Sequence, residues 1–305
     1  MTQAFRGELL LGTRSSALAL WQTDHVYQRL REASPSLIAR TLPLSTLGDR
    51  EVGAVLSDLG GAAFSSEIDL ALLEGRVRVA VHSLKDLPIQ DNTGIVTAAI
   101  LSRDDPRDAL VSSHEGGLDA LPSGSRVGTS SPRRRAQILA ARDDLVVEAV
   151  RGNVQTRIAK AVEGALDAVV LAVAGLNRLG LTEHVSELLP TETFLPAPGQ
   201  GALAVQCRED DDEARALLDL IDDAAVRNEV DAERAFLSAL GGGCSLPVGA
   251  LARNIEGALL ELHGFVGALN GGESIRVSSR GEDPLQLGRA LAEDAFSLGA
   301  RELLA

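Results

Sequence analysis

A chain of 305 residues, 45% of them hydrophobic, is long enough to bury the cores of two or three domains. Its formal net charge of −14 at pH 7 argues against a general nucleic-acid binder, whose surface must attract phosphate. The two cysteines, Cys207 and Cys244, lie far apart and without zinc-ligand spacing, so neither a disulfide framework nor a metal site is expected. No apolar run reaches the length of a membrane span, and the first six residues lack the basic and apolar regions of a signal peptide. A cytoplasmic protein with reduced thiols is the expectation.

Residues 8–12 read as a buried strand and 15–32 as an amphipathic helix carrying Leu18, Leu20, Trp21, Val26 and Leu30. Arg14 and Ser16 fall in the turn between them, beyond the carboxyl end of a strand and at a helix N-terminus, where twisted α/β sheets bind ligands. A solvated turn residue is an equal reading of Arg14. Residues 37–47 form the next expected strand, and 60–63 open a stretch poor in side-chain bulk. Ser66 to Leu73 reads as a helix with Asp69 as a capping-box partner. The strand at 77–81 runs directly into His82-Ser83-Leu84-Lys85-Asp86-Leu87-Pro88. That polar end suits a site or a turn with a weak surface ion pair, and His82 alone reads as a hydrogen-bonded structural histidine.

After a strand at 94–101, the polar run Ser102-Arg103-Asp104-Asp105-Pro106-Arg107 reads as a crossover between domains. The pattern then restarts with a short strand at 126–129 and Ser130-Ser131-Pro132, an N-cap candidate followed by proline at the first helical position. Arg133, Arg134 and Arg135 fill the first turn of that helix. Cations are unfavourable at a helix N-terminus, which already presents partial positive charge, so three of them point to an anion held there. The strand at 145–150 ends in Arg151-Gly152-Asn153-Val154-Gln155-Thr156-Arg157, which adds two cations at another strand-to-helix turn. Residues 167–173 read as a fully buried strand and 174–180 as a short helix. Pro196-Ala197-Pro198-Gly199-Gln200-Gly201 is a second rigid crossover, followed by a strand at 202–206.

From 210 to 240 the chain reads as helical and acidic, and it ends in Gly241-Gly242-Gly243-Cys244-Ser245-Leu246-Pro247. Three glycines allow positive φ and a close approach to the thiol; a buried cysteine in a tight turn fits the same residues. Strand-like runs at 248–252, 258–266 and 274–279, with a final helix from about Pro284, make a small α+β tail.

Arg14, Arg133, Arg134, Arg151 and Arg157 all fall at strand-to-helix turns, the ends at which two doubly wound lobes would face each other across a cleft. Guanidinium forks pair with carboxylates, so a ligand bearing several carboxylates is the expected occupant. With one strand-end carboxylate, Asp86, and one reachable thiol, Cys244, the residues suggest covalent tethering of a polycarboxylate near a carboxylate catalyst.

Several motifs in order carry a resemblance: Leu18-Ala19-Leu20-Trp21-Gln22, His82 to Pro88, Asp105-Pro106-Arg107-Asp108, Gly128-Thr129-Ser130-Ser131, Arg151-Gly152-Asn153-Val154, Ala172-Val173-Ala174-Gly175-Leu176, Pro198-Gly199-Gln200-Gly201 and Gly242-Gly243-Cys244. Through nearly its whole length the chain resembles the hydroxymethylbilane synthase (porphobilinogen deaminase) family. That resemblance implies two doubly wound α/β lobes of the periplasmic-binding-protein type around a cleft, plus a small C-terminal α+β domain. The corresponding boundaries are 1–101 with 198–220, 102–197, and 221–305. It further implies a transferase that joins four porphobilinogen molecules head to tail with release of ammonia, for tetrapyrrole synthesis. The chain would grow on a dipyrromethane cofactor held by a thioether to Cys244, with Asp86 catalytic and no metal. Arg14, Ser16, Ser83, Lys85, Thr129, Ser130, Ser131, Arg133, Arg134, Arg151, Arg157 and Gln200 match positions that bind cofactor or substrate in the family. A monomer that binds neither nucleic acid nor membrane is expected.

One stretch departs from the family pattern. Relatives carry a Gly-Gly-Lys-x-x-Phe-x-Lys-Glu type of run before the helix near residue 67, whereas Leu59-Gly60-Gly61-Ala62-Ala63-Phe64-Ser65-Ser66-Glu67 has no lysine, and Leu47 stands where a basic residue is common. Any cover this loop provides would come from Phe64 and backbone N–H groups. The architecture by itself also suits a non-enzymatic two-lobed solute-binding protein, or an inactive paralogue that keeps the cleft. A binding protein has no need of the cysteine loop.

Overall fold

The computed structural model describes residues 8–45, 66–243 and 245–304. The expectations for Leu47, Phe64, the Gly60–Ser66 stretch as a whole and Cys244 fall wholly or mainly outside the described residues. Contacts divide the chain into two compact units, Met1–Asp104 with Ala202–Arg227, and Asp105–Gly201 with Asn228–Ala305.

The first unit is built on one five-stranded sheet. Its strands are β1 (Glu8–Arg14), β2 (Ile38–Leu44), β3 (Val79–Ser83), β4 (Ile95–Ile100) and β10 (Leu203–Arg208), in the order β2-β1-β3-β10-β4. β1 runs parallel to β2 and β3, while β10 lies antiparallel between β3 and β4, with Ala204 opposite His82. The period-two alternation of the strands decides the two faces. Leu9, Leu11, Val79, Val81, Leu203, Val205 and Cys207 turn to the side covered by α1 (Ala17–Ala33) and α6 (Asp212–Asp219). Ala80 and Ile95 pack with Ile68 and Leu72 of α2 (Ser66–Leu73). Burial pushes the Cys207 thiol up to about 11, so this cysteine is an inert part of the core.

The second unit repeats the plan. Strands β5 (Asp108–Ser112), β6 (Arg126–Gly128), β7 (Val146–Glu148), β8 (Ala168–Ala172) and β9 (Glu187–Leu189) form a sheet of order β7-β6-β8-β5-β9. The helices α3 (Pro132–Ala141), α4 (Val154–Val162) and α5 (Val173–Leu179) follow β6, β7 and β8 in turn. Neither β5 nor β9 is among the sequence-based expectations: Asp-Ala-Leu-Val-Ser opens on a carboxylate straight after a polar crossover, and β9 is only three residues long.

The same unit holds the small C-terminal sheet, an antiparallel meander of β11 (Val248–Glu256), β12 (Leu259–Gly267) and β13 (Ser274–Gly281). It packs with α8 (Pro284–Ser297), the short α9 (Ala300–Leu304) and α7 (Ala224–Ala239), whose Phe236 is fully buried. A Cβ on Gly264 would come within 2.6 Å of the Phe236 ring, so only glycine lets α7 lie this close to β12. The helical stretch expected over 210–240 is two helices, α6 and α7, because Asp222 leaves helical pairing and accepts hydrogen bonds from Ile100 N (2.6 Å) and Arg227 Nη2 (2.6 Å). The architecture is the expected α/β class, two sheet-and-helix lobes with a small C-terminal sheet.

Candidate functional site

The polar ends of β1 and β3 come together in the first unit. Ser16 is the N-cap of α1, its hydroxyl accepting from Ala19 N at 3.3 Å. Arg14, just before that cap, is half-buried. Gln22 of α1 donates through Nε2 to Ser83 Oγ at 2.8 Å, which ties the helix to the last residue of β3. β3 then closes into a single 3-10 turn, Leu84–Asp86, in which buried Leu84 anchors the half-buried Lys85 and Asp86. The backbone that carries Asp86, a one-turn segment between a core strand and Pro88, has little freedom to move.

His82 differs from the expected hydrogen-bonded structural histidine. It is buried and its Nε2 has no hydrogen-bond partner. Its cross-strand neighbour is Ala204, which offers only a methyl group. Burial, reinforced by the positive charge of Arg14, lowers its pKa to about 4, so the imidazole is neutral at physiological pH.

In the second unit, the strand-to-helix turn after β6 carries the arginines. Ser131 caps α3 by accepting from Arg134 N at 3.4 Å, with Pro132 at the first helical position. Thr129 Oγ1 accepts from Ser131 N at 3.2 Å, and Ser130 Oγ donates to Val150 O at 2.8 Å. The anion that three first-turn arginines call for is supplied partly by the chain itself. Asp108, at 0% exposure, accepts from Arg133 Nη1 through Oδ2 at 2.7 Å and from Arg134 Nη2 through Oδ1 at 2.7 Å.

Each guanidinium has a second anchor. Arg133 Nη1 also donates to Leu195 O at 2.7 Å, and Arg134 Nη1 to Val170 O at 2.9 Å. Gln200 Nε2 donates to Asp108 Oδ1 at 2.8 Å and to Pro106 O at 2.7 Å. Arg135 serves the framework, donating to Leu269 O and Val147 O. Burial would raise the Asp108 carboxyl, but the two guanidiniums outweigh it and hold the group well below the usual carboxylate range. Burial likewise lowers Arg133, opposed by Asp108. Two buried cations against one buried anion leave one positive charge in excess, and the Nε atoms of both arginines are buried without partners.

The next strand-to-helix turn is more open. Gly152 takes φ +112° and accepts from Arg157 Nε at 2.8 Å, while Asn153 caps α4. Arg151 is half-buried and has no hydrogen bond or ion pair among the described residues. Arg151 is therefore an available cation among the described residues, whereas Arg133 and Arg134 already share Asp108.

α7 leads to the thiol segment. Glu233, fully buried on that helix, accepts from Gly199 N at 2.7 Å and Ala252 N at 2.9 Å, fixing the Pro198–Gln200 crossover and β11 to the helix. Gly241, Gly242 and Gly243 have φ of +108°, +65° and +115°, a left-handed run that other residues adopt only under strain. In the sequence Asp108 stands out only as the last residue of a family motif, with no role assigned to it, and Glu233 does not stand out at all. Only an acidic residue inside an otherwise apolar strand or helix face could have signalled either one. Among the described residues no group of His, Cys, Asp and Glu could hold a metal, and no helix is long and apolar enough to cross a membrane.

Residues 9–216 match the family model "Porphobilinogen deaminase, dipyromethane cofactor binding domain", and 228–297 match "Porphobilinogen deaminase, C-terminal domain". The chain is 48% identical over 300 residues to the porphobilinogen deaminase of Xanthomonas oryzae pv. oryzae (strain PXO99A), covering 97% of this chain and 98% of the relative. It has the same identity and coverage with the porphobilinogen deaminase of Xanthomonas euvesicatoria pv. vesicatoria. Among solved structures, a TRAP periplasmic solute binding protein from Desulfovibrio salexigens aligns with a TM-score of 0.44 and 12% identity, covering 70% of this chain and 72% of that one.

Proposed function

The chain belongs to the porphobilinogen deaminase family, and from that membership we infer that it polymerises porphobilinogen, four molecules head to tail with release of ammonia, and hydrolyses off hydroxymethylbilane for tetrapyrrole synthesis. The observation that carries this reading is the near full-length match at 48% identity. The family's dipyrromethane, when bound, supplies the pyrrole carbon on which the chain is extended. The residues fit such a group. A dipyrromethane built from porphobilinogen bears acetate and propionate side chains, and the second unit carries one unbalanced buried positive charge in its cluster of Arg133, Arg134 and Asp108 together with Arg151, which has no partner among the described residues.

In this reading Cys244 holds the cofactor by a thioether, and the left-handed glycines before it keep the backbone there free of side-chain bulk. Arg14, Lys85, Arg134, Arg151 and Arg157 receive carboxylates of cofactor and substrate. Arg133 and Gln200 act mainly by fixing Asp108 and the crossover, as their bonds suggest. Thr129, Ser130 and Ser131 shape the turn from which α3 starts, and Ser16 and Ser83 do the same for α1 and β3. Asp86 carries the chemistry. Loss of ammonia from porphobilinogen leaves an electron-poor azafulvene-like cation, and a fixed carboxylate stabilises that charge while accepting pyrrole N–H bonds. Neutral His82, four residues earlier, adds no competing positive charge.

A monomeric, cytoplasmic enzyme with no nucleic-acid partner completes the proposal, supported by the net charge of −14. The test is intact-mass measurement of the purified protein together with porphobilinogen consumption. Two added pyrrole units and product formation are expected; a bare chain that gives no colour with Ehrlich's reagent and consumes no porphobilinogen would overturn the function.

A further inference from the structure

We propose that Asp108 is a positioning residue of this enzyme: from the start of β5 it aims the guanidiniums of Arg133 and Arg134 and the amide of Gln200, and so sets how carboxylates of the pyrrole chain are received. The inference rests on the functional reading above. Its basis is the sharing of one carboxylate by three donors from two distant parts of the chain, the adjacent Arg133 and Arg134 at the start of α3 and Gln200 in the later crossover. Oδ2 takes Arg133, and Oδ1 takes both Arg134 and Gln200, all within 2.8 Å.

Stability alone does not account for this arrangement. A buried ion cluster gains little over an apolar replacement of the same volume, because desolvation offsets the Coulombic attraction. What the carboxylate does supply is direction. Each guanidinium is pinned at two points, by Asp108 and by a backbone carbonyl, Leu195 O or Val170 O, and these carbonyls cannot turn aside without moving the chain. The cluster also retains a net positive charge, since one aspartate faces two arginines that are 3% and 7% exposed. An excess cation in so dry a place is stabilised by an anionic ligand, and its fixed orientation decides which carboxylate geometry is accepted.

The test separates aiming from charge balance. Asp108→Glu keeps the charge and lengthens the side chain by one carbon–carbon bond, about 1.5 Å. If Asp108 aims the arginines, intact mass should show a mixture of cofactor-free and two-pyrrole chains. The loaded fraction should show KM for porphobilinogen raised about 10-fold or more with kcat changed far less, the pattern of lost ground-state binding. Full loading with the parental KM would mean that Asp108 only neutralises charge, and would overturn the proposal.

Should the longer side chain prevent folding, Arg133→Met is compared with Arg133→Met/Asp108→Asn. The two proteins differ only in the carboxylate that holds Arg134 and Gln200. Lower loading by the double variant supports the aiming role, and equal loading overturns it. A parental chain without the two-pyrrole mass would overturn the functional reading itself, an outcome seen before any variant is made.

Discussion

His82 and Asp86 sit four residues apart at the end of β3 and face opposite demands. In the proposed mechanism Asp86 acts as an anion that stabilises a developing cation. Asp86→Asn preserves shape and most hydrogen bonding, so the thermal midpoint should hardly move while turnover falls by at least ~10²-fold, as for other electrostatic stabilisers. Product formation at near-parental rate would remove Asp86 from the chemistry. His82 must stay neutral, and its pKa of about 4 lies below that of an unfolded histidine. Between about pH 6.5 and 4 the unfolded chain therefore binds a proton that the folded chain does not. The stability this residue protects is complete above about pH 6.5 and is lost as pH falls towards 4, by roughly 3 kcal/mol. Urea unfolding across that range should show a shallower acid loss in His82→Gln than in the parent.

α3 and α4 begin in the same way, with a side-chain cap after a sheet strand, yet their arginines do different work. Arg133 and Arg134 start α3 on a buried in-chain anion, whereas Arg151 precedes α4 with no partner among the described residues. Removing Arg151 costs the fold nothing that is visible in its contacts. Arg151→Leu should leave the unfolding midpoint within about 0.5 kcal/mol of the parent and still trap complexes with an incomplete number of pyrroles in native mass spectrometry. Parental elongation in this variant would show that the available cation is not used. α7 is held by another buried carboxylate, Glu233, which takes two backbone N–H donors from Gly199 and Ala252. Left-handed glycines then end the helix, with Gly241 N and Gly242 N donating back to Ser238 O and Leu237 O.

At the scale of the whole molecule, a chain of net charge −14 buries Arg133 and Arg134 against a single aspartate, and in the proposed function that excess cation meets a polyanionic cofactor. Loading the dipyrromethane should therefore stabilise the protein as well as prime it, because carboxylates neutralise the excess positive charge and bind only the folded state. Cys244→Ser, which cannot form the thioether, should lack the two-pyrrole mass and unfold several degrees below the parent. The gap should narrow with added salt, since ions then screen the uncompensated cations. Cys207→Ser should keep the adduct, its sulfur lying in the core of the first unit. Loss of the adduct in that variant would reassign the attachment.

Local signals already carry most of the architecture. Alternating apolar residues, Ser131 before Pro132, Asn153 before α4 and polar residues at the end of β3 are written within a few positions of the elements they define, so the two α/β lobes and the cationic turns can be read from sequence alone. The partners of those turns cannot. Asp108 lies 25 residues before Arg133, and Gln200 92 residues after Asp108, so nothing local tells a ligand-binding arginine from one that already has a buried anion. β10 likewise reads as a strand, but its antiparallel place between β3 and β4 depends on a return across about 100 residues. Periodicity and capping are properties of neighbours along the chain; ion pairing and strand insertion depend on which distant residues fill the same low-dielectric space, and only tertiary structure decides that.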